Sequence, residues 1–297
     1  MMMKLKHNVK FDVIVASHMG MCFGVKAAIK NAQNLARKTD ITVLGELAHN
    51  TSVKKTMEAH GARHGSLSDT SASTRDVIIT AHGASDTMRN KWRNLGYRVT
   101  DTTCPLVHKT HAALRQLVKT GYIPLVIGKA DHVEVRGLMG DFPTAQSVLT
   151  IDDVEKLKRI DTSRQSDFKI GVVSQTTQQI DHCEHIVMAL RKKFQDSEIV
   201  FIDTVCRPTK DRQSALLELC SKVKLIIVVG GANSNNTAQL AKKCRKLGCV
   251  SYHIQSARDL RAEWFEHVGK VGLTACTSTP DSQIESVRRR LLEISRS

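Results

Sequence analysis

Apolar runs rich in β-branched residues recur along this chain, alternating with longer stretches whose apolar residues fall at helical spacing. FDVIVAS, DITVLGE, DVIITAHG, IPLVIGKA, FKIGVVSQTT, EIVFIDTVC, KLIIVVGGAN and KVGLTACTS read as strands. Between them, KAAIKNAQNLARK, KTHAALRQLVKTG, TTQQIDHCEHIVMALRKKF, RQSALLELCSKV and NTAQLAKKCRKLG read as helices with one apolar face. This alternation is the sequence form of parallel βαβ units and predicts an α/β fold.

Polar residues gather where the predicted strands end, which is where open parallel sheets collect ligands. Those ends carry Cys22, Glu46 to His49, His82, Cys104, His132, Thr176, Cys206, Asn233 to Asn236 and Ser278. A strand, a cysteine and an amphipathic helix follow one another near 22, 104 and 206, and DTTCPLVHKTH is echoed by DTVCRPTKDRQ. The repetition predicts three similar units, 22–103, 104–203 and 204–297, the last completed by a strand from residues 1–21.

Length and composition narrow the class. A chain of 297 residues with 41% hydrophobic and 25% charged residues can bury more than one core. MMMKLKHNVKFDVIVAS is a poor signal peptide, and no long apolar window follows, so a cytoplasmic protein is expected. In a reducing compartment the eight cysteines are not expected to form a disulfide framework, which leaves metal binding, catalysis or burial. The net charge of +15 suits nucleic acid, an anionic small substrate or an acidic protein partner. Aromatic content of 4% offers few platforms for base stacking, and no zinc-finger, RNA-binding or helix-turn-helix signature is present.

Cys22, Cys104 and Cys206 each stand where a helix is predicted to begin. Unpaired backbone N–H groups there favour a thiolate, and thiolates bind iron and zinc. Cys104-Pro105 and Cys206-Arg207-Pro208 put proline in the first helical turn, where its missing donor costs little. Structural burial is the competing explanation for any one of them. Without CxxC pairs, a metal site must rest on tertiary convergence. Cys183, Cys220, Cys244 and Cys249 read as packing residues, and Cys276 stays open.

GMCFGVKAAI, LGELAHNTSV, TAHGAS, DTTCPLVHKTH, DHVEVRGLMG, SQTT, DTVCRPTKDRQ, VVGGANSNNT and TSTPD occur in this order over nearly the whole chain. In these phrases the sequence resembles the 4-hydroxy-3-methylbut-2-enyl diphosphate reductases. The resemblance implies three small α/β domains in a pseudo-threefold trefoil around a 4Fe-4S iron-sulfur cluster. It implies Cys22, Cys104 and Cys206 as cluster ligands, with one iron open to substrate. It implies His49, His82 and His132, with Ser234, Asn235, Asn236 and Ser278, around the diphosphate, and Glu134, Thr176 and His132 in proton transfer. An acidic ferredoxin or flavodoxin would supply electrons. Asn235 replaces the family's usual second serine, and Cys276 stands where glycine is common. Those two departures motivate a second reading, a paralogue with the same cluster and another allylic or phosphorylated substrate. The basic charge motivates a third, a nucleic-acid-binding iron-sulfur protein.

Overall fold

A computed structural model describes residues 10–157, 168–232 and 234–296, and of Asn235 the backbone. In the first third of the chain lie β1 (Asp12–Val15), α1 (Phe23–Ala36), β2 (Ile41–Leu44), α2 (Thr51–Ala59), β3 (Ala62–Gly65), β4 (Asp76–Ile79), α3 (Asp86–Asn94) and β5 (Arg98–Asp101). Then come α4 (Pro105–Lys119), β6 (Ile123–Ile127), α5 (Val133–Met139), β7 (Gln146–Val148), α6 (Ile151–Lys156), β8 (Lys169–Ser174), α7 (Ile180–Lys193) and β9 (Glu198–Phe201). The last part holds α8 (Arg207–Lys222), β10 (Leu225–Val229), α9 (Asn235–Lys246), β11 (Val250–Ile254), β12 (Lys270–Ala275) and α10 (Asp281–Ile294).

The strands form three four-stranded sheets, and every pairing is parallel. Their orders are β3-β2-β4-β5, β7-β6-β8-β9 and β11-β10-β12-β1. These are one pattern used three times, with the N-terminal strand β1 taking in the third sheet the place that β5 and β9 take in the others. The chain is therefore an α/β protein with the predicted internal repetition, and the N-terminal strand completes the last sheet.

Alternation of side chains sends each central strand into two cores. In β10, Leu225, Ile227 and Val229 join a cluster with Phe265, Val287 and Leu291, while Ile226 and Val228 pack with Leu216, Leu219 and Cys244. In β6, Leu125 and Ile127 meet Ile186 and Leu190 of α7, and Val126 meets Leu114 and Leu138 on the other face. Burial on both faces explains the continuous apolar runs in these strands.

All eight predicted strands are present, and so are the five predicted helices. The strands β3, β7 and β11 each lie at a sheet edge. Sequences such as ARHG and QSV are only partly buried there and carry little apolar periodicity. Their identity as strands comes from pairing with a central neighbour rather than from their own residues.

The described residues divide into two compact units. One comprises those within Met1–Lys26, Ala48–Thr56 and Asp211–Ser297, with the sheet containing β10; the other comprises Ala27–Leu47 and Met57–Lys210, with the other two sheets. No helix among the described residues is long and apolar enough to cross a membrane.

Candidate functional site

The sequence-derived candidates occupy equivalent positions in the repeated pattern. Cys104, Cys206 and Cys22 follow the edge strands β5, β9 and β1. His49, His132 and Ser234 follow β2, β6 and β10, and His82, Thr176 and Ser278 follow β4, β8 and β12. Because all strands in a sheet are parallel, these residues fall at the carboxyl-terminal edge of their own sheet.

The recurrence of Asp-Thr-x-Cys has a local physical cause. In the first copy, Asp101 Oδ1 accepts from the Thr103 N–H at 2.9 Å and from the Thr103 hydroxyl. In the second, Asp203 Oδ1 accepts from the Val205 N–H at 3.0 Å. The threonine beside each aspartate ties the turn to the neighbouring strand: Thr102 Oγ1 donates to the Ile79 carbonyl and Thr204 Oγ1 to the Ser174 carbonyl, both at 2.6 Å. The cysteine N–H groups then donate across to the next loop, Cys104 to the Ala81 carbonyl at 3.0 Å and Cys206 to the Thr176 carbonyl at 2.9 Å. Each turn is thus an Asx turn that delivers a cysteine to the start of a helix. Cys104 caps α4 with Pro105 at its first position, and Cys206 immediately precedes α8.

A cation stabilises each aspartate. Arg89 Nε donates to Asp101 Oδ2 at 2.8 Å, with Arg89 also bonded to Asp86 and Thr103. Lys210 pairs with Asp203. Burial pushes the Asp101 carboxyl up, but the Thr103 hydroxyl and N–H and the nearby Arg89 outweigh it, leaving Asp101 below the usual aspartate value. Gly83 shows how closely the loops approach. Its φ is +78°, and a Cβ there would lie 2.8 Å from Thr103 Cγ2, so a side chain would strain the His82 loop and press on the Cys104 turn. Cys22 lacks the Asp-Thr pair. Its loop is held by Met21 N–H donating to the Thr279 carbonyl at 3.2 Å and Arg212 Nη2 donating to the Gly20 carbonyl at 2.8 Å.

A second cluster lies in the larger unit. Glu134, in the first turn of α5, is 1% exposed. Its Oε1 accepts from the Thr176 N–H at 2.7 Å, and Thr176 Oγ1 bonds Oε2 at 3.0 Å. Burial raises the carboxyl to about 7, against the lowering effect of both Thr176 bonds. Glu134 is therefore not a surface carboxylate, and Thr176 does not cap α7, whose N-cap position is Gln179. His132 caps α5, its Nδ1 accepting from the Glu134 N–H at 3.2 Å. That bond leaves Nε2 as the donor of the neutral ring. The His82 ring meets His132 edge-on with centroids 5.5 Å apart.

In the other unit, Ser234 caps α9 by accepting from the Thr237 N–H at 3.3 Å. Asn236 in that first turn is exposed, as is His49, and the Asn235 side chain lies outside the described residues. Ser278 Oγ and Thr237 Oγ1 are buried without a protein hydrogen-bond partner. An orphaned buried hydroxyl is the property expected of a group that meets a ligand.

Other residues escaped the sequence reading. Arg89 is 5% exposed, and nothing local in MRNKWRN marks it as buried. His111 in α4 is 4% exposed, both its ring nitrogens lack a protein partner, and burial followed by the nearby Arg89 lowers it to about 4. Of the cysteines expected to pack, Cys183, Cys244 and Cys249 are buried, and burial raises the Cys183 and Cys244 thiols to about 11; Cys276, which the sequence left open, is buried too. Cys220 is raised to about 12 by burial beside Cys244 and Cys249.

All eight cysteines are thiols rather than disulfides, and Cys22, Cys104 and Cys206 are half-buried. Among the described residues, no group of three or more His, Cys, Asp or Glu side chains is gathered closely enough to hold a metal ion. The chemistry of the individual donors nevertheless fits an iron-sulfur group: partly shielded thiols at helix starts, held by backbone bonds in equivalent loops.

Comparison with known proteins gives one family. The sequence profile described as LytB protein matches residues 13–292. The 4-hydroxy-3-methylbut-2-enyl diphosphate reductase of Aquifex aeolicus is 34% identical over 292 residues, covering 95% of this chain and 96% of the relative. That of Geotalea uraniireducens is 36% identical over 287 residues, covering 96% and 98%. Among solved structures, the E-1-hydroxy-2-methyl-but-2-enyl-4-diphosphate reductase from Plasmodium falciparum superposes with a TM-score of 0.85 at 29% identity, covering 97% of this chain and 91% of that one. A second, titled (E)-4-hydroxy-3-methyl-but-2-enyl diphosphate reductase, the terminal enzyme of the non-mevalonate pathway, gives 0.71 at 32% identity, covering 95% and 99%.

Proposed function

The chain belongs to the LytB protein family, and we propose from this that it is a 4-hydroxy-3-methylbut-2-enyl diphosphate reductase. The reaction takes two electrons and two protons, expels the hydroxyl as water, and leaves isopentenyl or dimethylallyl diphosphate according to which end of the allylic fragment is protonated. A small acidic ferredoxin or flavodoxin fits as electron donor to a chain of net charge +15. Cys22, Cys104 and Cys206 are the residues that would hold a 4Fe-4S cluster. When bound, that group supplies single electrons and an open iron that polarises the hydroxyl.

The observation that carries the reading is the Glu134–Thr176 pair. Hydroxide is a poor leaving group, so the reaction needs a proton held ready in a place that water does not control. A carboxyl raised to about 7 retains its proton through mildly acidic and neutral pH. With Oε2 protonated, Glu134 donates to Thr176 Oγ1, freeing the threonine hydroxyl to donate onward; once Glu134 is ionised, the donation runs from Thr176 back to the carboxylate. One hydrogen bond, reversed in direction, moves a proton outward by the length of a side chain. His132 acts beside this pair and, through its Nε2, as a donor to the diphosphate.

His49, His82 and His132 with Ser234, Asn235, Asn236 and Ser278 contact the diphosphate in this reading. Imidazole N–H, hydroxyl and amide groups are suitable donors to a multiply charged anion. Ser278 contributes a buried hydroxyl with no protein partner. The test is anaerobic turnover of 4-hydroxy-3-methylbut-2-enyl diphosphate by cluster-reconstituted protein with a one-electron reductant. Formation of both five-carbon diphosphates is expected. An intact cluster with no product would instead favour a paralogue acting on another substrate, the reading that Asn235 and Cys276 motivate.

A further inference from the structure

In the unit that holds His49, Ser234 and Ser278, a chain of amide groups connects the segments carrying these residues. Asn50 Nδ2 donates to Gln283 Oε1 at 3.2 Å. Gln283 Nε2 donates to the Gln255 carbonyl, and Gln255 Oε1 accepts from the Ala232 N–H at 3.1 Å. Asn50 is the residue after His49 and caps α2 by accepting from the Ser52 N–H at 3.0 Å. Ala232 lies two residues before Ser234, and Gln283 is in the first turn of α10, just after Ser278. Gly231 also packs on the His49 backbone, where a Cβ would come 3.4 Å from the His49 carbonyl oxygen.

We propose that Gln283 is a positioning residue for diphosphate binding, its amide linking the His49 loop to Gln255 and, through the Gln255 side chain, to Ala232 just before Ser234. This rests on the diphosphate reading above. The position demands a group that accepts at one atom and donates at the other while reaching both partners. Glutamate keeps the size but replaces the donor with an oxygen facing the Gln255 carbonyl. Methionine keeps the length and offers neither. Breaking the connection leaves every diphosphate-contacting residue in place but lets the two loops vary independently, so the loss falls on binding rather than on the chemical step.

The test is calorimetric titration of inorganic diphosphate into the full-length chain, with and without a reconstituted cluster, together with steady-state kinetics. Gln283→Glu and Gln283→Met are each expected to weaken diphosphate binding and raise KM by about tenfold, with kcat within about twofold of wild type. The melting temperature and the cluster's electron paramagnetic resonance signal are expected to stay unchanged. A variant that binds diphosphate as tightly as wild type overturns the proposal, as does one that loses melting temperature and cluster signal while KM holds. If the unaltered chain itself fails to bind diphosphate, the diphosphate reading falls first, and this inference goes with it.

Discussion

Glu134 and Asp101 are carboxyl groups beside strand ends of the same compact unit, and their surroundings set opposite charge states. Asp101, its side chain 22% exposed, receives the Thr103 N–H and hydroxyl together with the Arg89 guanidinium, so the ionised form is favoured. Glu134 is more deeply buried and has only Thr176 as a hydrogen-bond partner among the causes acting on it, with no cation among them, so it keeps its proton to about pH 7. The difference separates two tasks. A permanently charged aspartate can organise backbone N–H groups into a rigid turn, whereas a carboxyl poised near neutrality can give up a proton and take it back.

The comparison breaks most visibly at Glu134. Glu134→Gln keeps an acceptor for the Thr176 N–H but removes the proton, and turnover is expected to fall by about 10²-fold or more. Thermal unfolding of the same variant should stay within about 1 kcal/mol of wild type, because a neutral amide replaces a neutral acid. A large stability loss with retained turnover would reverse the two roles.

Arg89→Met probes the other side. It leaves Asp101 without its cation in a largely shielded site, for which a loss of about 2 kcal/mol and weaker retention of iron are expected. Denaturant midpoints and iron content measure the two effects. The second Asx turn sharpens the contrast, because Lys210 and Asp203 are 32% and 37% exposed. Solvent screening there should hold the cost of Lys210→Met below about 1 kcal/mol.

His111 provides a pH test of the scaffold. Its folded value of about 4 lies below the ordinary 6.5, so the folded state resists a proton that the unfolded chain accepts. No penalty exists above pH 6.5. Stability is expected to fall by up to about 3 kcal/mol as pH drops from 6.5 toward 4, and His111→Leu should remove that part of the slope in denaturation curves recorded across the range. An unchanged slope would mean that the ring is accessible to protons in the folded protein.

Much of this arrangement was legible in the residues. Strands buried on both faces, such as LIIVV in β10, announce themselves because every position is apolar. Cysteines and histidines at strand ends stand out because open parallel sheets leave their carboxyl ends for ligands. The recurrence of DTTC and DTVC reflects an Asx turn in which the aspartate carboxylate bonds a backbone N–H two residues on, a local pattern that the sequence alone records. What stayed hidden depends on distant parts of the chain. Glu134 and Thr176 are 42 residues apart, and the raised value of the carboxyl comes from burial that no neighbouring residue reveals. Arg89 reads as one more cation on a polar helix until Asp101 is seen beside it. Gln283 looks like an ordinary polar residue of an amphipathic helix, and only the fold brings Asn50 and Gln255 to its two ends.

The most direct test of the central claim, that Glu134 supplies the proton, is the pH dependence of anaerobic kcat for wild type and Glu134→Gln. The account predicts a wild-type rate that declines above about pH 7, where the carboxyl ionises, and a variant that is slow at every pH with its cluster signal intact. A Glu134→Gln protein that turned over at the wild-type rate with the same pH profile would contradict it.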